Sequence, residues 1–142
     1  MIAVRLSADA KVKLRKMIDR KVADVAAKAA TVAYNTAISY KEPYWSGQFA
    51  ASWQVSHGAP ASLYLPATGR DSSGAGAAMH YPRHTQVSVL PDYASPYQKI
   101  YVSNTAPHAM MIEYEGSPNH AGAWKIAFSS KQSAMKSIGG LF

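Results

Sequence analysis

The chain has 142 residues, a net charge of +7 and no cysteine. That length suits a single domain around one core, and without cysteine there is neither a disulfide framework nor a thiolate metal site. Apolar residues make up 48% of the chain, much of it Ala and Tyr, which implies a modest core and a surface rich in small residues. No apolar run approaches the ~20 residues of a membrane span, and the opening MIAVRLSADAK lacks the apolar core of a signal peptide. The expectation is a protein soluble and intracellular at synthesis, with no membrane partner.

The charge is uneven. Arg5, Lys11, Lys13, Arg15, Lys16, Arg20, Lys21 and Lys28 supply eight of the fifteen basic residues, opposed only by Asp9, Asp19 and Asp24. Such a basic end can meet nucleic acid, an acidic protein surface, or only water. Residues Ser7–Ser39 predict one long helix, with Ser7 as N-cap and Asp9 in the first turn, where a carboxylate complements the helix dipole. Leu14, Ile18, Val22, Val25, Ala29, Val32 and Thr36 recur at spacings of three and four and form one narrow stripe. The run Ala26–Ala30 has high helix propensity and little bulk, so another backbone can approach there. A rod of roughly 50 Å overhangs a core this small, and an overhang with an apolar stripe needs a partner. A break near Asp19–Lys21, giving two ordinary helices, is the alternative.

Pro43 ends the helix, since the residue before proline is driven from the helical region. After the turn Pro43-Tyr44-Trp45-Ser46-Gly47, alternation of Phe49, Ala51, Trp53 and Val55 with small and polar residues predicts a strand. Trp45 and Trp53 read as core or subunit-contact residues. A short strand follows around Leu63-Tyr64-Leu65. Residues 68–78 (TGRDSSGAGAA) then read as a mobile loop. Gln86–Leu90 is the next predicted strand. In Lys99–Gly116 a strand through Ile100 and Val102 leads to a turn at Asn104–Pro107 and a packed apolar block, Ala109–Ile112. Gly116 then lets the chain reverse. Residues 121–138 predict a second helix with Trp124, Ala127, Phe128, Ala134, Met135 and Ile138 as its apolar positions, stopped by Gly139-Gly140. The fold class is α+β: one domain over 1–142, with a small antiparallel sheet within 49–115 flanked by an N-terminal and a C-terminal helix.

Catalytic constellations are not evident. His80 and His84 have a metal-ligand spacing, but Pro82 stands between them and no third ligand is near. Asp92 with Glu113 and Glu115 has the outline of a metal-dependent nuclease core, yet Glu115 takes the place where the lysine would stand. As a glycosidase pair the two glutamates lack a sugar cleft. No phosphate-binding glycine loop is present. The reading is a non-enzyme without metal or cofactor.

Two separated motifs point to one family. Pro43-Tyr44-Trp45-Ser46-Gly47-Gln48-Phe49-Ala50-Ala51-Ser52 resembles the P-x-x-[ST]-G-x-[LF]-x-x-S signature of the head–tail joining, or neck and tail-completion, proteins of tailed bacteriophages. Asn104, Pro107-His108-Ala109 and Glu113-Tyr114-Glu115-Gly116 resemble its second signature, with His108 where the family usually has tyrosine. The order of elements agrees as well, and the matching parts cover about two-thirds of the chain. The region from Ala59 to Tyr97 is longer and more polar than in a minimal member.

The resemblance implies a structural virion protein, made in the host cytoplasm, that forms a ring, most often sixfold, between the DNA-filled head and the tail. Its partners would be further copies of itself and other neck, connector or tail proteins. Pro43, Ser46, Gly47, Phe49 and Ser52 would build one corner of the fold and its subunit contact, and Asn104, Pro107, Ala109, Glu113 and Gly116 the other. Lys11, Lys13, Arg15, Lys16, Arg20 and Lys21 would face viral DNA in transit or an acidic neighbour. A free-standing basic nucleic-acid-binding module is the alternative, although its aromatics show little of the Lys and Arg interleaving of a stacking groove.

Overall fold

The computed structural model describes residues 5–40, 49, 52–63, 86–117 and 120–139. Helix α1 (Ala8–Ser39) is continuous over 32 residues, with no break at Asp19–Lys21. Ser7 caps it, its Oγ accepting the Ala10 N–H at 3.2 Å. At 1.5 Å per residue the rod is about 48 Å long.

The buried face of α1 is not the expected stripe. Ala23, Ala27, Ala30, Tyr34 and Ala37 are the buried residues, at alternating spacings of four and three. Counted at 100° per residue, that seam lies roughly 165° around the helix from the line through Leu14, Ile18 and Val32. Alanine wins because its small side chain lets the facing elements approach the α1 backbone closely. Leu14 and Ile18 stay about half exposed, and no residue from 8 to 22 is buried. The N-terminal half of α1 therefore overhangs the described core.

Strand β1 (Trp53–His57) pairs antiparallel with β2 (Ile100–Asn104), placing Trp53 opposite Asn104 and Val55 opposite Val102. The predicted strand from Phe49 is shortened. Phe49 has helical backbone, and its carbonyl accepts the Ser52 N–H at 3.2 Å before extended chain begins at Trp53. A four-residue separation keeps Phe49 and Trp53 on one side in a helical turn as in a strand, so alternation alone could not separate the two. Their rings meet edge to face with centroids 5.9 Å apart.

Residues 86–90 are not paired as a strand either. They run along α1, where the Val87 N–H and C=O meet the Asn35 side-chain amide and the Val89 N–H donates to Thr31 Oγ1 at 2.8 Å. Two extended residues advance ~6.6 Å, close to the ~6 Å of four helical residues, so the helix side chains substitute for a neighbouring strand. Leu63 is not in a strand, while Tyr64, Leu65 and the predicted loop 68–78 lie outside the described residues.

The apolar block after the turn is helix α2 (Ala109–Tyr114). Gly116 follows with a φ of +107°, a left-handed conformation that favours glycine, and opens the short antiparallel pair β3 (Gly116–Ser117) and β4 (His120–Ala121). Helix α3 (Ile126–Ile138) starts five residues later than predicted. Its buried positions are Ile126 and Ser130, whereas Phe128 and Met135 are exposed. The core gathers Tyr34, Ala37, Phe49, Trp53, Ala106, Ile112 and Ile126 between the two long helices and the sheet. The α+β class with flanking N- and C-terminal helices is the observed architecture.

Candidate functional site

The second motif closes on the end of the first. Asn104 Nδ2 donates to the Phe49 carbonyl at 2.8 Å, and Asn104 Oδ1 accepts the Ala106 N–H at 2.9 Å. The Thr105 N–H donates to the Ser52 carbonyl at 3.1 Å. Ser52 is fully buried. Gln54 Nε2 donates to Thr105 Oγ1 at 2.9 Å, adding a tie from inside β1. Residues some 50 positions apart are thus joined by backbone groups that a buried corner must satisfy. Pro107 belongs to the turn into α2, and Ala109 begins that helix with its N–H on the Ala106 carbonyl. His108 packs near Phe49, ring centroids 6.4 Å apart, and burial lowers its pKa. Pro43, Ser46 and Gly47 lie outside the described residues.

The two tempting glutamates separate. Glu113 is part of α2 rather than of a strand, and its Oε1 accepts the Ala127 N–H at 2.9 Å. Lys125, which precedes α3, has a left-handed backbone and no capping side-chain bond. Glu113 supplies the missing cap from another helix, and its carboxylate also suits the positive end of the α3 dipole. Burial raises its pKa, and the backbone N–H groups of Ala127 and Ile126 oppose that rise. The Trp124 and Lys125 N–H groups donate to the carbonyls of Ile112 and Glu113, completing the α2–α3 joint. Glu115 is exposed and takes no part in this joint. Among the described residues, no three His, Asp or Glu side chains gather as metal ligands.

Lys11, Lys13, Arg15, Lys16, Arg20 and Lys21 are all exposed on the overhanging half of α1. Their helical angles spread widely instead of forming one stripe, and Leu14, Met17 and Ile18 share the same segment. A strap at 92–97 ties this region to the sheet. The Tyr93 hydroxyl donates to Asp24 and the Tyr97 hydroxyl to Asp19, each at 2.7 Å, and these bonds to carboxylates raise both phenol pKa values. Asp19 and Asp24 are engaged by tyrosines, which leaves the cations of α1 without ion pairs among the described residues. No described helix is long and apolar enough to cross a membrane.

Between α1, β2 and α3 lies an open groove of about 450 Å³. Ala26, Ala30 and Ala33 form its α1 wall, and Ala134, Met135 and Ile138 its α3 wall. Sequence reasoning missed it because it exists only once the alanine seam of α1 faces α3. The one available signal was the small-residue run Ala26–Ala30.

No family model, curated protein or solved structure matches the chain.

Proposed function

We propose that this protein is a structural virion component that forms a ring at the head–tail junction of a tailed bacteriophage, acting by assembly and not by catalysis. The observation that carries the reading is the corner at Asn104. The resemblance pairs two motifs in order, and their described residues are spent on holding one another and the start of α3. Glu113, the residue best placed for chemistry, is committed to capping. The overhanging half of α1 offers apolar and cationic side chains to a neighbour, as a ring subunit requires.

Light scattering after size exclusion, followed by negative-stain electron microscopy of the purified chain, tests this. Closed rings of uniform mass are expected. A monomer that binds duplex DNA tightly at physiological salt would overturn the reading. The second reading, a basic nucleic-acid-binding module, is favoured by the exposed cations of α1, which make no ion pairs among the described residues. It predicts DNA affinity that falls steeply between low and high salt.

A further inference from the structure

We propose that the groove between α1 and α3 receives the exposed face of α2 from a second copy of this chain, so that copies join head to tail. The proposal rests on the ring reading and names the contact that builds the ring.

The groove is apolar along both walls but carries polar groups where a partner would need them. Lys99 and Lys131 line the groove, and neither is ion-paired among the described residues.

The α2 face has the complementary character. Met110 and Tyr114 are 69% and 71% exposed, and Met111 lies beside them at 43%. Methionine adapts to irregular apolar gaps, and tyrosine brings a large apolar ring with a polar tip. Glu115 adjoins this knob. Of the described carboxylates, Asp19, Asp24, Asp92 and Glu113 accept hydrogen bonds, which leaves Glu115 and Asp9 free. An acid beside an apolar knob suits a groove flanked by two lysines. The overhang of α1, which is also apolar and exposed, would bring six more cations onto those lysines, and like charges across a contact are disfavoured. Knob and groove share no residue, so the contact is heterologous and propagates until it closes.

The absence of cysteine makes a direct test clean. Full-length Tyr114→Cys and Ala134→Cys variants are mixed in equal amounts and mildly oxidised, and the linked peptides are mapped by mass spectrometry. A dominant 114–134 heterodimer is expected, and the double variant should give a ladder of linked copies. In a parallel measurement, Glu115→Lys should raise the dissociation constant for self-association by about tenfold, and adding Lys131→Glu should restore it. Oligomers that form without 114–134 links overturn the docking and leave the ring standing. Links that form only in open polymers keep the docking and overturn the ring. A chain monomeric at every concentration overturns both.

Discussion

The corner around Asn104 and the overhanging half of α1 are built on opposite terms. At the corner, small and polar residues dominate, yet nearly every group is spent: Asn104 makes two hydrogen bonds and Glu113 caps a helix fourteen residues away. On the overhang, Leu14, Met17 and Ile18 are large and apolar, yet none is buried, and the cations around them make no ion pairs among the described residues. Burial, not residue type, decides which region holds the fold. The corner is internal structure, and the overhang is exposed surface.

The same deletion made in both regions should therefore give unequal results. Ile126 is fully buried, so Ile126→Ala should destabilise the protein by about 2–5 kcal/mol, combining lost transfer energy with a residual cavity. Ile18 is 49% exposed, so Ile18→Ala should stay within about 0.5 kcal/mol of the parent. Urea unfolding of the two variants measures the difference. Equal losses would mean that the overhang is packed against the fold after all.

Asn104→Ala should cost less than the Ile126 change but more than any overhang substitution. It leaves the Phe49 carbonyl and the Ala106 N–H without their partners, a penalty of about 2 kcal/mol. For a chain of this length that corresponds to roughly 5–8 °C in Tm. Thermal unfolding followed by circular dichroism is the check, and a Tm within 1–2 °C of the parent, on the same scale, would remove Asn104 from its stapling role.

Long α1 was legible because its signals are local: a serine cap, an acid in the first turn and sustained helix propensity. Its packing face was not, because weighting bulky side chains selects Leu14 and Ile18, while close approach selects alanine. Phe49 and Trp53 sit four apart, a spacing that a strand and a helical turn both place on one side, so the boundary at Trp53 was ambiguous in principle. Val87 and Val89 do alternate, but their backbone partners are Asn35 and Thr31, more than fifty residues earlier. Phe49 and Ser52 of the first motif meet Asn104 and Thr105 of the second at the corner. The cap that Glu113 provides could not be read, since it depends on where the tertiary fold brings Ala127.

Titration gives the subtlest contrast, because the two shifted groups of the corner pull in opposite directions. Burial holds the His108 pKa below its ordinary 6.5. The unfolded chain then binds the extra proton, so the His108 contribution is complete above pH 6.5 and is lost as pH falls toward its folded value. Burial holds the Glu113 pKa above its ordinary 4.5. Its contribution is complete below pH 4.5 and is lost as pH rises through its folded value. Between pH 4.5 and 6.5 the two slopes oppose each other. Glu113→Gln keeps an oxygen for the Ala127 N–H but no longer titrates, so its stability should rise with pH across this range more steeply than the parent's. His108→Asn should fall more steeply. Glu113→Ala removes the cap along with the titrating group, so it should lie about 1 kcal/mol below Glu113→Gln at every pH. Tm measured at half-unit steps for the three variants separates the roles. A Glu113→Gln profile parallel to the parent's would show that the carboxyl titrates alike in the folded and the unfolded chain, leaving capping as its whole contribution.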